Sequence, residues 1–169
     1  MCPFSQPSTW LIAFHSCIPN VKYRFRLDSF SMQFYAIRDI KAGEQLFYTY
    51  CSARSSVADR QTELAPYGFV CKCPACVNAT PETDKLRDSF ASRIVLFKVL
   101  VESPTANLNL SAVEEAVKLE KNMTKEGLDS EVLFLTLLRA ICLAYEKLGK
   151  LEESERYGVL VESFQKICD

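Results

Sequence analysis

Hydrophobic positions fall into two regimes, with the change near residue 80. Before it, apolar and polar residues alternate in short runs. Tyr23-Arg24-Phe25-Arg26-Leu27 places an apolar side chain at every second position, the pattern of a half-buried strand. Met32–Ile37 follows after Asp28-Ser29-Phe30-Ser31, so the two runs predict a hairpin. Lys41-Ala42-Gly43-Glu44 reads as a turn and Leu46–Tyr50 as a third short strand. Ser56–Leu64 reads as one or two helical turns with Arg60 and Glu63 outward, ended by Pro66 and Gly68.

After Pro81 the spacing is helical. One helix is expected over Asp84–Ser103, stopped by Pro104. Ser111 followed by Glu114 is a capping-box signature for a second, running to about Glu126 with Gly127 at its end. Ser130–Leu148 carries an apolar face of Leu133, Leu137, Ala140, Ile141 and Ala144 and stops at Gly149. Leu151–Cys168 completes an antiparallel pair. The fold class is therefore α+β: a small antiparallel β region over 1–65, a cysteine-rich segment over 66–80 and an all-α region over 81–169.

Composition narrows the class. At 169 residues the chain can bury a real core, and 49% apolar content excludes a disordered chain. Residues 1–80 hold eight Lys/Arg against five Asp/Glu, and the remainder twelve against sixteen. Neither half is basic enough for bulk electrostatic binding of nucleic acid. Only Lys72 lies inside the cysteine cluster, and Arg24 and Arg26 are explained by strand alternation. The start lacks a basic n-region, and Trp10–Phe14 is too short for a signal peptide or membrane span. An intracellular, reducing compartment, cytoplasmic or nuclear, is expected, with no membrane contact.

Eight cysteines then change the picture. Cys71, Cys73 and Cys76 form a C-x-C-x2-C cluster, which suits metal better than a disulfide framework. A structural zinc ion takes four ligands in a tetrahedron, so one must come from elsewhere. Cys17, in His15-Ser16-Cys17-Ile18-Pro19-Asn20, and Cys51, at the end of the third strand, are the rival donors. Cys2, Cys142 and Cys168 read as ordinary thiols.

His15-Ser16-Cys17-x-Pro19-Asn20, then Arg38–Glu44, then a strand ending in Tyr50, then Tyr67-Gly68-Phe69-x-Cys71-x-Cys73-x2-Cys76 form an ordered series. It resembles SET-domain protein-lysine methyltransferases, the SMYD-like group most closely, over residues 9–78. The resemblance implies a partial SET domain and a post-SET zinc segment, followed by a helical region. It implies S-adenosyl-L-methionine and Zn2+ as cofactors, and a protein substrate, histone or non-histone, presenting a lysine. Cys17, Cys71, Cys73 and Cys76 would be the zinc ligands. Tyr50 would sit near the transferring methyl and orient the amine. Phe69 would pack on adenine, and His15 would contribute mainly its backbone to the cofactor site. Tyr48 could line the lysine channel or point to the other face of its strand.

Two departures shape the expectation. Phe14 stands where the family has the asparagine that hydrogen-bonds the cofactor, and unpaired polar groups there cost about 1–3 kcal/mol each. No glycine-rich cofactor loop or MYND finger precedes the motif, so an incomplete copy is expected, with uncovered strand edges and an uncovered apolar face. The alternative is an inactive SET remnant serving as a zinc-stabilised interaction module. Ala144–Tyr157 resembles one turn of a tetratricopeptide repeat, which implies either a packing hairpin or a partner-binding groove on the helical tail.

Overall fold

The computed structural model describes residues 15–129 and 131–168. It is an α+β chain of one two-stranded antiparallel sheet and six α-helices among those residues. It divides into two compact units, one ending at Lys85 and one starting at Leu86. None of the described helices is long and apolar enough to cross a membrane.

In the first unit, β1 (Val21–Arg26) pairs with β2 (Ser31–Ala36) in the register Tyr23↔Phe34 and Phe25↔Met32. Strand alternation therefore gathers Tyr23, Phe25, Met32 and Phe34 on one face and Lys22, Arg24 and Arg26 on the other. The apolar face is only half covered, with Tyr23, Phe25 and Phe34 each close to 46% exposed.

The expected third strand does not form. Leu46–Tyr50 makes one isolated parallel bridge, between His15 and Tyr48. The reason is Asn20, which is fully buried. Its backbone N–H and that of Val21 both donate to the Phe47 carbonyl at 3.0 Å. Its side-chain Oδ1 accepts from the Phe47 N–H at 2.6 Å, and its Nδ2 donates to the Gln45 carbonyl at 2.7 Å. Side-chain bonds replace the ladder, so the backbone is satisfied without a strand.

Ser56 caps α1 (Val57–Leu64), its Oγ accepting from the Asp59 N–H. A 3₁₀ turn over Ala65–Tyr67 ends at Gly68, whose φ of 76° lies in the left-handed region. The expectation that Arg60 points outward is wrong: its side chain is fully buried. Buried guanidinium groups need acceptors, and this one has the Ser55 and Ala75 carbonyls. Those acceptors come from the segments around the helix, so helical spacing alone did not reveal them. A short helix, α2 (Pro74–Val77), lies inside the cysteine cluster.

Helix α3 spans Pro81–Glu102 and begins earlier than expected. Thr80 and Thr83 cap its start reciprocally, each backbone N–H donating to the other's hydroxyl. Helix α4 (Leu110–Lys125) is capped by Asn109, whose Oδ1 accepts from the Ala112 N–H, and not by Ser111. Helices α5 (Val132–Lys147) and α6 (Leu151–Cys168) form a hairpin. Phe134 meets Phe164, Cys142 meets Ser154 and Tyr145 meets Tyr157, an order that runs antiparallel. The core of this second unit contains Phe90, Ile94, Val113, Met123, Leu137 and Ile141, each with no exposed surface. Complete burial contributes roughly 1.5–3 kcal/mol for each such side chain.

Candidate active site and metal centre

The turn after His15 and the loop after Gly68 converge on one point. The sulfurs of Cys17, Cys71, Cys73 and Cys76 all lie within 4.8 Å of one another. Cys17 and Cys76 are 3.6 Å apart, and Cys17 is fully buried. A zinc ion with Zn–S bonds near 2.3 Å needs its sulfurs about 3.8 Å apart, so the donor set fits a tetrahedral ion. Cys51 does not belong to that mutual set. It groups instead with Cys17 and His15, its sulfur 3.9 Å from that of Cys17.

The thiols compete for protons. Cys17, hydrogen-bonded to Cys51, Cys71 and Cys73, is held protonated far above the ordinary thiol range. Cys73, receiving a hydrogen bond from Cys17 and then one from Cys71, is pushed far below it. Packed sulfurs this close cannot all ionise against their mutual repulsion and desolvation. A bound cation removes that conflict, because it lets all four act as thiolates.

Residues of α1 frame the cluster. Gln61 binds the Cys71 backbone in both directions: its Nε2 donates to the carbonyl and its Oε1 accepts from the N–H, each at 3.0 Å. Arg60 Nη2 lies 3.7 Å from the Cys76 sulfur. Sequence reading missed both. A Gln ten residues before a cysteine carries no local signal of that contact, and Arg60 was read as a surface charge.

His15 sits between the cysteine cluster and the aromatic residues. Its Nδ1 accepts from the Tyr50 N–H at 3.1 Å. In the neutral ring the proton is then on Nε2, which lies 3.6 Å from the Cys17 sulfur. The imidazole therefore presents an N–H, not a lone pair, to that sulfur. Its ring centroid is 5.0 Å from Tyr50 and 5.6 Å from Phe69. His15, Tyr50 and Phe69 are thus brought together; Phe14 lies outside the described residues. A cavity of 400 Å³ opens beside them, lined by His15, Ser16, Phe47, Phe69 and Lys72 among others. That volume is within the range of small-ligand pockets. Tyr50 is not part of that lining.

Tyr50 belongs to a continuous run of rings. Tyr48 lies 4.7 Å from Tyr50, 5.1 Å from Tyr23 and 5.6 Å from Phe34, and Tyr50 lies 5.0 Å from Tyr67. Tyr48 therefore shares the aromatic cluster of Tyr50. Burial first, and then a hydrogen bond with Tyr48, raises the Tyr50 hydroxyl well above the ordinary tyrosine range. It stays protonated at neutral pH and can donate.

The SET domain family model matches residues 5–51. A SET domain-containing protein of Acanthamoeba polyphaga mimivirus is 38% identical over 80 residues, 44% of this chain and 31% of that protein. The histone-lysine N-methyltransferase set5 of Schizosaccharomyces pombe is 38% identical over 77 residues, 44% of this chain and 24% of its own length. The protein-lysine N-trimethyltransferase SMYD5 of Homo sapiens is 36% identical over 72 residues, 40% of this chain and 17% of its own length. The matches thus span less than a third of these relatives. Residues 5–51 carry SET-domain sequence, and through it the chain is similar to SET-type protein-lysine methyltransferases, the SMYD-like ones among them.

Proposed function

We propose that this chain contributes the zinc-bearing, cofactor-side portion of a SET-type protein-lysine methyltransferase. In this reading residues 1–65 are the SET portion, 66–80 the post-SET zinc segment and 81–169 a tetratricopeptide-like helical region. The observation that carries it is the convergence on His15: Tyr50 and Phe69 pack on its ring while its Nε2 lies 3.6 Å from Cys17, a member of the four-sulfur set. One zinc ion on Cys17, Cys71, Cys73 and Cys76 would fasten the loop that carries Phe69 beside the cavity, and its binding energy would be folding energy for that loop.

S-adenosylmethionine supplies an electrophilic methyl group. The residues present do the rest. Phe47 and Phe69 give the cavity aromatic faces that favour a cationic donor. The rings of Tyr48, Tyr50 and Tyr67 pack in series, and a substrate lysine set against them would have its ammonium form disfavoured by desolvation, leaving the nucleophilic amine. The Tyr50 hydroxyl, held protonated, orients that amine for in-line attack, and such positioning is worth several kcal/mol of barrier. The protein substrate is a histone or another lysine-bearing protein, met in the nucleus or cytoplasm.

Metal analysis and a methyltransfer assay test this reading. The purified protein should hold one zinc per chain, and zinc-loaded protein should move label from S-adenosylmethionine to lysine in a histone or other protein mixture. Folded, zinc-loaded protein that transfers nothing would remove the activity. A second reading is an inactive, zinc-stabilised interaction module with a partner on the helical tail, and Phe14 in place of the family asparagine favours it. Calorimetry separates the two: micromolar binding of S-adenosylmethionine argues for the enzyme, and no binding argues for the module.

A further inference from the structure

Among the described residues the sulfur cluster has five members, one more than a tetrahedral ion uses. Cys51 is the spare. Its sulfur is 3.9 Å from that of Cys17 but outside the mutual set of four. It is also partly exposed, whereas Cys17 is fully buried. Its backbone is pinned by Thr49, whose hydroxyl donates to the Cys51 carbonyl at 2.9 Å, so the thiol is held against its neighbour.

We propose that Cys17 and Cys51 are an oxidisable pair, a modification site that controls the metal centre. The metal consequence rests on the zinc reading given above; the thiol pairing does not. A peroxide is the oxidant. The Cys51 thiol attacks it: an S–O bond forms, the O–O bond breaks, and one water leaves with the thiol proton. The Cys17 sulfur then attacks the sulfenic sulfur of Cys51. An S–S bond forms, the S–O bond breaks, and the leaving hydroxide takes the Cys17 proton as the second water. Two thiols lose two electrons and one peroxide becomes two waters. An ion held on the four sulfurs would lose one donor and be released. Cys51 reacts first because its sulfur is partly exposed and lies outside the mutual set of four. A thiol reductant restores both cysteines, and added zinc refills the site.

Hydrogen peroxide on the full chain tests this, with zinc release read by a chromophoric chelator and linked peptides mapped by non-reducing mass spectrometry. The expected product joins Cys17 to Cys51, with one zinc freed per disulfide. Cys51→Ser should bind zinc as the parent does and release it roughly tenfold more slowly under peroxide. A linked peptide joining Cys17 to Cys76, or Cys51→Ser releasing zinc at the parental rate, would overturn the proposal. If the chain holds no zinc, the mapping still decides: a Cys17–Cys51 link upholds the pair while the metal reading fails, and its absence ends the pair.

Discussion

The Nη2 of Arg60 lies 3.7 Å from the Cys76 sulfur, and the same guanidinium donates to the Ser55 and Ala75 carbonyls. A buried cation beside the four-cysteine cluster would offset its negative charge once the sulfurs act as thiolates, and it ties α2 and the turn before α1 to α1. Arg60→Met should remove the donor from the Ser55 and Ala75 carbonyls, which are part-buried, costing up to about 1–3 kcal/mol each, which urea denaturation will read. Zinc affinity, measured by chelator competition, should fall roughly 10–100-fold, as for other residues that support metal ligands. Arg60→Lys should recover affinity better than stability, since it keeps the charge but cannot span both carbonyls.

Asn20 holds Gln45 and Phe47 where a strand partner would otherwise be required. Asn20→Ala should unpair the Phe47 N–H and the Gln45 carbonyl and lower stability by about 2–4 kcal/mol. Asn20→Asp keeps the acceptor but loses the donor to Gln45, and places a second carboxylate beside Glu44. It should rescue little, and thermal melts of the three proteins will rank them.

Glu44 ties the same loop together, and its carboxyl is lowered to about 2, first by the hydrogen bond from Arg38 and then by the Lys41 N–H. A depressed folded-state value means the carboxylate's contribution is complete above the ordinary value near 4.5 and is lost as pH falls through about 2. An NMR titration of the Glu44 carboxyl should therefore show it still ionised at pH 4. Arg38→Met should bring the midpoint back toward the ordinary value. A midpoint near 4.5 in the parent chain would contradict the clamp.

The α5–α6 hairpin turns at Gly149, with φ of 70°. Its N–H donates to the Glu146 carbonyl and that of Lys150 to the Tyr145 carbonyl, the pair of bonds that closes a helix through a left-handed residue. Nothing lies within 4 Å of where a Cβ would be. Gly149→Ala therefore meets no clash and should cost the backbone term alone, about 1–2 kcal/mol, in a denaturation curve.

Tyr50→Phe tests the proposed transfer. It removes one hydroxyl and keeps the rings around His15. Zinc content should stay at the parental level while the transfer rate falls roughly 100-fold, the scale of a lost positioning contact. Equal rates would take Tyr50 out of the reaction.

Much of the local structure was readable from the residue order. The β1–β2 alternation, the short helix before Pro66, and the stops at Gly127 and Gly149 all formed as the pattern implied. Each is decided within a few residues by backbone sterics and nearby hydrogen bonds. Two of the misses share one origin, contacts from distant segments. Leu46–Tyr50 looked like a strand because its own propensity favours one, but a side chain 27 positions earlier took the bond at Phe47. Arg60 looked like a surface charge because its acceptors at Ser55 and Ala75 are brought to it by folding.

The cysteine spacing by itself determined that three sulfurs share one loop and that a fourth donor must come from far away. It left Cys17 and Cys51 equal. The ordered motif series favoured Cys17, and the tertiary structure placed its sulfur in the mutual set of four and left that of Cys51 beside it. Spacing along a chain governs which groups share a turn. Which distant groups meet depends on how Asn20, Gln61 and Arg60 satisfy buried backbone from several segments at once, and no short stretch of sequence encodes that sum.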